Sequence, residues 1–441
     1  MGKISKIPIK FTLFYLIGTL LLFLFGPLKF KVPSKPLLVL TVLAYCFSLY
    51  LGYCFAIRTD RRRMEKLQNW YKQKEFSYAS FDDFSKVKVV FCISCVYLVI
   101  SRIVTLLHYG VDFSYLFYGN IAMNYFERVH SEVVGRWYNQ FFNLTKVISF
   151  FWYPIAILYF KDLKRNKKYL VLFIITAITE IAYFFLSGTV ITIGNYIIML
   201  IPTFLMMLCK RKNSGQNLAK KQTRKRIVVL ILLVLVFLFV FNFVQQERYS
   251  FMGYQDVVFS RGNMANFIEE ENNWPLFGNV LKTTQLYLTH GYVGMAYAMK
   301  LPPKFCYFLG SYRSMSTLVG SFSNLDINSQ TYTQRVEDAY GWTNGMYWPT
   351  AFTWFASDWT FYGIPILMFL IGIFLYKLWV SVLTEKSIIS YTLFSWIWVG
   401  IIFLPCNNQL FQSLDMFMGT TVLLLLYCFR KHLPLITIKI R

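Results

Sequence analysis

Long apolar runs, separated mostly by short polar segments, set the pattern of this chain. Runs of roughly 20 residues, enough as helices to cross about 30 Å of hydrocarbon, stand near 9–28, 37–57, 89–109, 141–160, 169–187, 190–209, 227–244, 356–379, 388–404 and 409–429. They predict an all-α polytopic integral membrane protein with about ten transmembrane helices. The one long interruption, 245–349, predicts a large outer loop containing short helices. The chain then divides into 1–244 (spans one to seven with basic inner connections), 245–349 (the loop), and 350–441 (spans eight to ten and the C-terminal tail). Inside the loop, QLYLTHGYVGMAYAM is mostly apolar, but its 15 residues are few for a crossing. It reads as a re-entrant or interfacial helix.

Composition agrees with the pattern. The chain is 56% hydrophobic and only 15% charged, where soluble domains carry about 25% charge. The net charge of +24 would suit a nucleic-acid binder if the basic residues shared one soluble face. Instead they flank apolar runs, where they orient the chain against anionic lipid, so no nucleic-acid partner is expected. RTDRRRMEKLQNWYKQK (58–74), KDLKRNKK (161–168), KRKNSGQNLAKKQTRKR (210–226) and RKHLPLITIKIR (430–441) fall on one side by parity, and all four are basic. By the positive-inside rule that side is the cytoplasm, with both termini inside. Segment 245–349 carries seven basic against eight acidic residues and faces outward. Two segments fit less well: KFKVPSKP (29–36) puts three lysines outside, and the inner VSVLTEKS is barely charged. The basic start MGKISK resembles a signal peptide, but the apolar run is too long and lacks an A-x-A site, so it reads as a retained first helix.

Eight cysteines make no disulfide framework, because most lie in apolar spans, where a thiol behaves as a small hydrophobe. Only Cys306 and Cys406 are placed to meet on the outer side. Four histidines make a His-rich metal centre unexpected. No G-x-S-x-G, H-E-x-x-H or Walker A motif is present, which leaves no basis for a soluble-type hydrolase or an ATPase.

Charges inside spans are costly, at least about 2.5 to 3.5 kcal/mol at mid-helix, and normally face a partner or a watery cavity. Arg102 and Glu180 sit roughly 12 Å and 10 Å below the outer surface at about 1.5 Å per residue, and Asp415 is at similar depth. This one-sided placement argues for a site open to the outside rather than for alternating access, which needs polar groups reaching both faces. The alternative is that Arg102 snorkels outward and Glu180 is held in a helix contact. The expectation is that the two share an outer-leaflet cavity, either paired or with Arg102 facing a bound anion.

The outer loop and its flanks are dense in Tyr and Trp, including Tyr292, Trp342 and Trp348. Such rings serve as an interfacial belt and also stack on sugar faces. Arg248, Arg261, Arg313 and Arg335 lie in the same segment, and a planar guanidinium suits phosphate or carboxylate.

PLFGNVLKTTQLYLTHGYVGMAYAMKLP (275–302) and TYTQRVEDAYGWTNGMYWPTAFTWFASDWTFYGIPILMFLIG (331–372) resemble bacterial Wzy-type polymerases of the oligosaccharide repeat unit polymerase group. In that group a Y-x-x-x-G-Y-x-G element precedes a Trp-rich segment and a D-x-x-F-x-G turn into the next span. Here these are Tyr287, Gly291, Tyr292 and Gly294, then Trp342, Trp348, Asp358, Phe361 and Gly363. The likeness covers about a quarter of the chain. One departure is that many members follow the Ser-Gly turn between two spans with arginine, where LSGTVITIG has Val190. The resemblance implies a glycosyltransferase of the bacterial cytoplasmic membrane. It would pass a growing glycan from a polyprenyl diphosphate onto an incoming lipid-linked repeat unit at the outer face, building an O-antigen, capsule or exopolysaccharide. No cofactor, nucleotide sugar or ATP is required; a flippase and a chain-length regulator are the protein partners it implies. Arg102, Arg248, Arg261, Arg313, Arg335, Glu180, Tyr292, Trp342 and Trp348 are the candidate substrate-binding residues. The acceptor hydroxyl needs a general base, for which His290 and Asp358 are best placed by sequence; Asp358 could instead cap the following helix. Two other readings stay open: another lipid-phosphate-dependent glycosyltransferase or O-antigen ligase, and an exporter or flippase without chemistry.

Overall fold

In a computed structural model of the chain, residues 2–72, 84–108, 137–187, 191–214, 217–251, 262–272, 278–323, 325–342, 347–385 and 387–430 are described. Among the described residues, seven helical stretches are long and apolar enough to cross a membrane: Ile7–Phe25, Lys35–Thr59, Phe84–His108, Lys167–Ser187, Ile191–Cys209, Val228–Gln246 and Ala351–Thr384. Shorter apolar helices occupy Lys146–Leu158, Ile388–Phe403 and Leu414–Phe429. Large aliphatic side chains stand exposed along these helices, most densely from Val228 to Val240. Such a continuous bare apolar surface suits lipid rather than water. These features make the protein a mostly helical membrane protein.

One sheet occurs among the described residues. Leu28–Phe30 pairs antiparallel with Ile268–Glu271, Leu28 opposite Glu271 and Lys29 opposite Glu270. Neither strand is long enough to announce itself by alternation. The pairing joins segments about 240 residues apart.

The chain divides into two units. The first comprises 1–65, 252–379 and 399–414. Within it, Lys35–Thr59 and Ala351–Thr384 approach backbone to backbone. A Cβ on Gly52 would lie 1.9 Å from the Phe369 carbonyl oxygen, and one on Gly372 2.2 Å from that of Leu49. Small residues at such a crossing let helix backbones close on each other. The Gly278–Ala298 helix, which contains the apolar element of the loop, is buried over most of its surface. Gln285 anchors it: its Oε1 accepts from Leu28 N at 2.7 Å, and its Nε2 donates to the carbonyls of Leu22 at 3.0 Å and Leu28 at 2.8 Å. Lys282 pairs with Glu271.

The second unit comprises 66–251, 380–398 and 415–441. Phe84–His108 packs along Lys167–Ser187. Arg430 holds Glu385 through Nε at 2.7 Å and Nη2 at 3.0 Å, tying the end of the last helix to the segment before Ile388.

Candidate functional site

The helix Ala351–Thr384 is not continuous. Pro365 has no N–H to offer the Phe361 carbonyl four residues back, and its ring crowds that turn. The break falls at Thr360, with φ 56° and ψ 163°, a region essentially confined to glycine and costing a β-branched residue about 1 to 3 kcal/mol. The freed carbonyl is not left bare, because Tyr45 Oη donates to Phe361 O at 2.9 Å.

Asp358 lies two residues before this break. Its carboxylate accepts three hydrogen bonds from a loop some 48 positions earlier: Gly310 N at 2.8 Å, Ser311 N at 2.8 Å and Ser311 Oγ at 2.6 Å. Asn408 Nδ2 donates to Ser311 O at 2.9 Å and holds the same loop from another side. Only glycine fits at 310, where a Cβ would stand 2.6 Å from that of Ser357 and 2.8 Å from that of Cys306. Just before it, Tyr307 and Phe308 adopt left-handed φ of 55° and 58°. Among the described residues, every non-glycine residue with positive φ is one of Tyr307, Phe308 and Thr360. Strain therefore gathers on both sides of one carboxylate, a pattern typical of functional sites.

The clamped loop leads directly into the Arg313–Ser323 helix. Arg313 is exposed, and its guanidinium lies 5.6 Å from the centroid of the Trp348 ring, which also meets Trp354 at 5.7 Å. The arrangement offers a cation and a partly exposed aromatic surface side by side, the cation two residues beyond the loop end that Asp358 holds. Burial, with the Asp358 charge second, pushes the Cys306 thiol from about 9 up to about 12, so it stays protonated at neutral pH. All eight cysteines are free thiols, Cys306 and Cys406 included.

The remaining expected residues take different places. His290 is buried, its Nδ1 2.7 Å from the Leu286 carbonyl and its ring stacked at 6.5 Å on Trp342. Tyr292 and Trp342 are fully buried; Tyr292 Oη meets Thr19 Oγ1 at 3.0 Å, and Trp342 packs on Phe267 and Tyr347. These are core rings. Gly291, between them, lies where a Cβ would stand 2.3 Å from the Pro405 carbonyl oxygen. The Y-x-x-x-G-Y-x-G element thus works as a packing surface. Arg335 donates to the Pro302 carbonyl at 2.8 Å and lies 5.5 Å from the Tyr332 ring centroid. Arg248 belongs to the Asn217–Phe251 helix; Arg261 and Val190 lie outside the described residues.

Arg102 and Glu180 meet in the second unit. Nε donates to Oε1 at 2.5 Å and Nη2 to Oε2 at 3.2 Å. Tyr196 Oη donates to Glu180 Oε2 at 2.7 Å, Trp152 Nε1 to Tyr196 Oη at 3.2 Å, and Tyr183 lies under the guanidinium at 4.1 Å. Asp415 pairs with Lys146 at 3.1 Å. Lys146 is the partner that sequence reasoning overlooked, although it stands alone as a charge inside the apolar run 141–160. Ser311, Asn408 and Thr360 left no such signal.

Compared with protein-family models, curated proteins and solved structures, the chain shows no match.

Proposed function

We propose that the protein is a glycosyltransferase of the Wzy type, which polymerises polyprenyl-diphosphate-linked oligosaccharide repeat units at the outer face of the bacterial cytoplasmic membrane. The observation that carries this reading is Arg313 beside Trp348, positioned by the Asp358 clamp, within the segments whose sequence resembles that group. In the reaction the C–O bond between the growing glycan and its diphosphate breaks as an acceptor hydroxyl forms the new glycosidic bond, and the hydroxyl proton passes to the departing diphosphate or to water. Negative charge grows on the departing diphosphate, and a fixed guanidinium stabilises it. Trp348 offers a face for a sugar ring. With both Asp358 oxygens engaged by donors, we assign it the role of a positioning residue, holding the start of the Arg313–Ser323 helix, rather than that of the base. His290 packs in the core against Trp342.

The test is direct. Purified protein given only a synthetic lipid-diphosphate repeat unit should yield a ladder of longer glycans. If labelled substrate merely changes leaflet, the exporter reading replaces this one. Arg313→Lys keeps the charge but loses the planar fork. It should lower kcat/KM about tenfold or more, since charge-assisted hydrogen bonds contribute roughly 1.5 to 3 kcal/mol.

A further inference from the structure

Residues 29–36 are the part of the chain that sits worst with an outward location, and the first unit gives their lysines a common setting. Lys31, Lys35 and Lys300 line an open cleft of about 650 Å³ together with Glu269, Tyr297 and Pro33. That volume lies in the range of small-molecule sites, about 300 to 1,000 Å³. Lys31 and Lys300 are exposed and have no acidic partner among the described residues. Lys35 meets Glu269 at 3.2 Å with both side chains about half exposed; such pairs contribute only about 0 to 1 kcal/mol, so an incoming anion readily replaces the glutamate. Lys35 is also the first residue of its helix, where a cation opposes the helix dipole. Lys35 is therefore poorly placed for fold stability.

The floor of the cleft is fixed. Lys31 N donates to Phe267 O at 2.8 Å, continuing past the two-stranded ribbon, and Tyr297 Oη donates to Lys31 O at 3.3 Å. The Tyr297 ring is held by Phe267 at 5.4 Å and Tyr340 at 4.9 Å and remains partly exposed. An aromatic wall suits a sugar ring, and ammonium groups suit a carboxylate. The Lys35–Glu269 contact already displays that carboxylate geometry inside the cleft.

We propose that this cleft binds a carboxylate-bearing sugar of the glycan, with Lys31 and Lys300 holding the acid group and Tyr297 meeting the ring. This rests on the outward, glycan-handling reading above, but it is tested by binding alone. The full chain, in nanodiscs of neutral phosphatidylcholine, is titrated with hexagalacturonate, with uncharged maltohexaose and with inorganic phosphate, at about 50 mM salt so that screening stays modest. Hexagalacturonate should bind, and maltohexaose should not. The double variant Lys31→Gln, Lys300→Gln should weaken binding at least about tenfold, as expected for loss of two charge-assisted contacts, while its thermal midpoint stays that of the wild type. Should the double variant fold poorly, Lys300→Gln alone should still weaken binding. Glu269→Gln should tighten it.

Equal binding of maltohexaose, unchanged affinity in the lysine variants, or displacement by equimolar phosphate or dihexanoyl phosphatidylglycerol would each overturn the proposal. Hexagalacturonate binding without a polymer ladder would sink the polymerase reading and leave the cleft standing. A ladder without hexagalacturonate binding would do the reverse.

Discussion

Two carboxylates stand inside long apolar helices of this protein, and they are satisfied in opposite ways. Glu180 is held by a guanidinium through two contacts, with Tyr196 on one oxygen and Tyr183 beneath the cation. It forms a closed, charge-neutral cluster within one unit. Asp358 is met by two backbone N–H groups and a hydroxyl, with no cation in hydrogen-bond contact. Its surroundings are strained, whereas none of the described residues around Glu180 has a positive φ. A carboxylate in an apolar helix can thus be satisfied by a cation without backbone strain, or by neutral donors beside it. The Arg102–Glu180 pair joins two packed helices of one unit, and the Asp358 clamp holds the loop that runs into the Arg313–Ser323 helix.

The largest effect expected from this contrast is at the ion pair. Arg102→Ala or Glu180→Ala leaves one charge uncompensated in an apolar setting and should cost about 3 to 5 kcal/mol in unfolding free energy. The exchanged pair, Arg102→Glu with Glu180→Arg, should recover much of it. Normal stability of either single variant in denaturant titrations would erase the distinction.

Asp358→Asn keeps the shape but turns an amide toward donors that need an acceptor. It should cost about 1 to 3 kcal/mol, the penalty for leaving buried groups unsatisfied.

Relief of strain gives a smaller effect of opposite sign. Thr360→Gly should raise stability by about 1 kcal/mol while lowering polymerisation, because the 351–359 segment loses its fixed angle to the rest of the helix. A variant that is both more stable and fully active would mean the break serves only the fold.

The least disruptive probe is Cys306. With its thiol pushed from about 9 up to about 12 by burial, the folded state favours the neutral form. The resulting stability is fully present below about pH 9 and is lost as pH rises toward about 12. Maleimide should therefore label Cys306 slowly at neutral pH in folded protein and rapidly once it is unfolded in detergent.

How far these features were legible in the sequence follows from their range. Each of the ten apolar runs contains or overlaps an apolar helix, because hydrophobic length is a local property; seven of those helices have the length of a crossing. Arg102 and Glu180 were expected at matching depth, and depth alone allowed them to meet. Pro365 went unread, and no local signal shows that Thr360 absorbs the break or that Tyr45 covers the freed carbonyl. The Asp358 clamp was illegible, since its donors are backbone groups and a serine some 48 residues away, carrying no charge and no spacing. Sequence suggested a base or a helix cap, and the structure adds that both carboxylate oxygens accept hydrogen bonds. Tyr292 and Trp342 were read for their stacking faces, whereas both faces are used in packing.

The central claim, that Asp358 acts by positioning Arg313, is tested most directly by a double-mutant cycle on kcat/KM in the glycan-ladder assay. Two groups serving one function lose it together, so Asp358→Asn and Arg313→Ala should be strongly non-additive. The double variant should be little worse than Arg313→Ala alone, and the rate of Asp358→Asn should keep the pH profile of the wild type. If the two losses simply multiply, and Asp358→Asn abolishes one limb of the pH profile, Asp358 is itself the base and the positioning account is wrong.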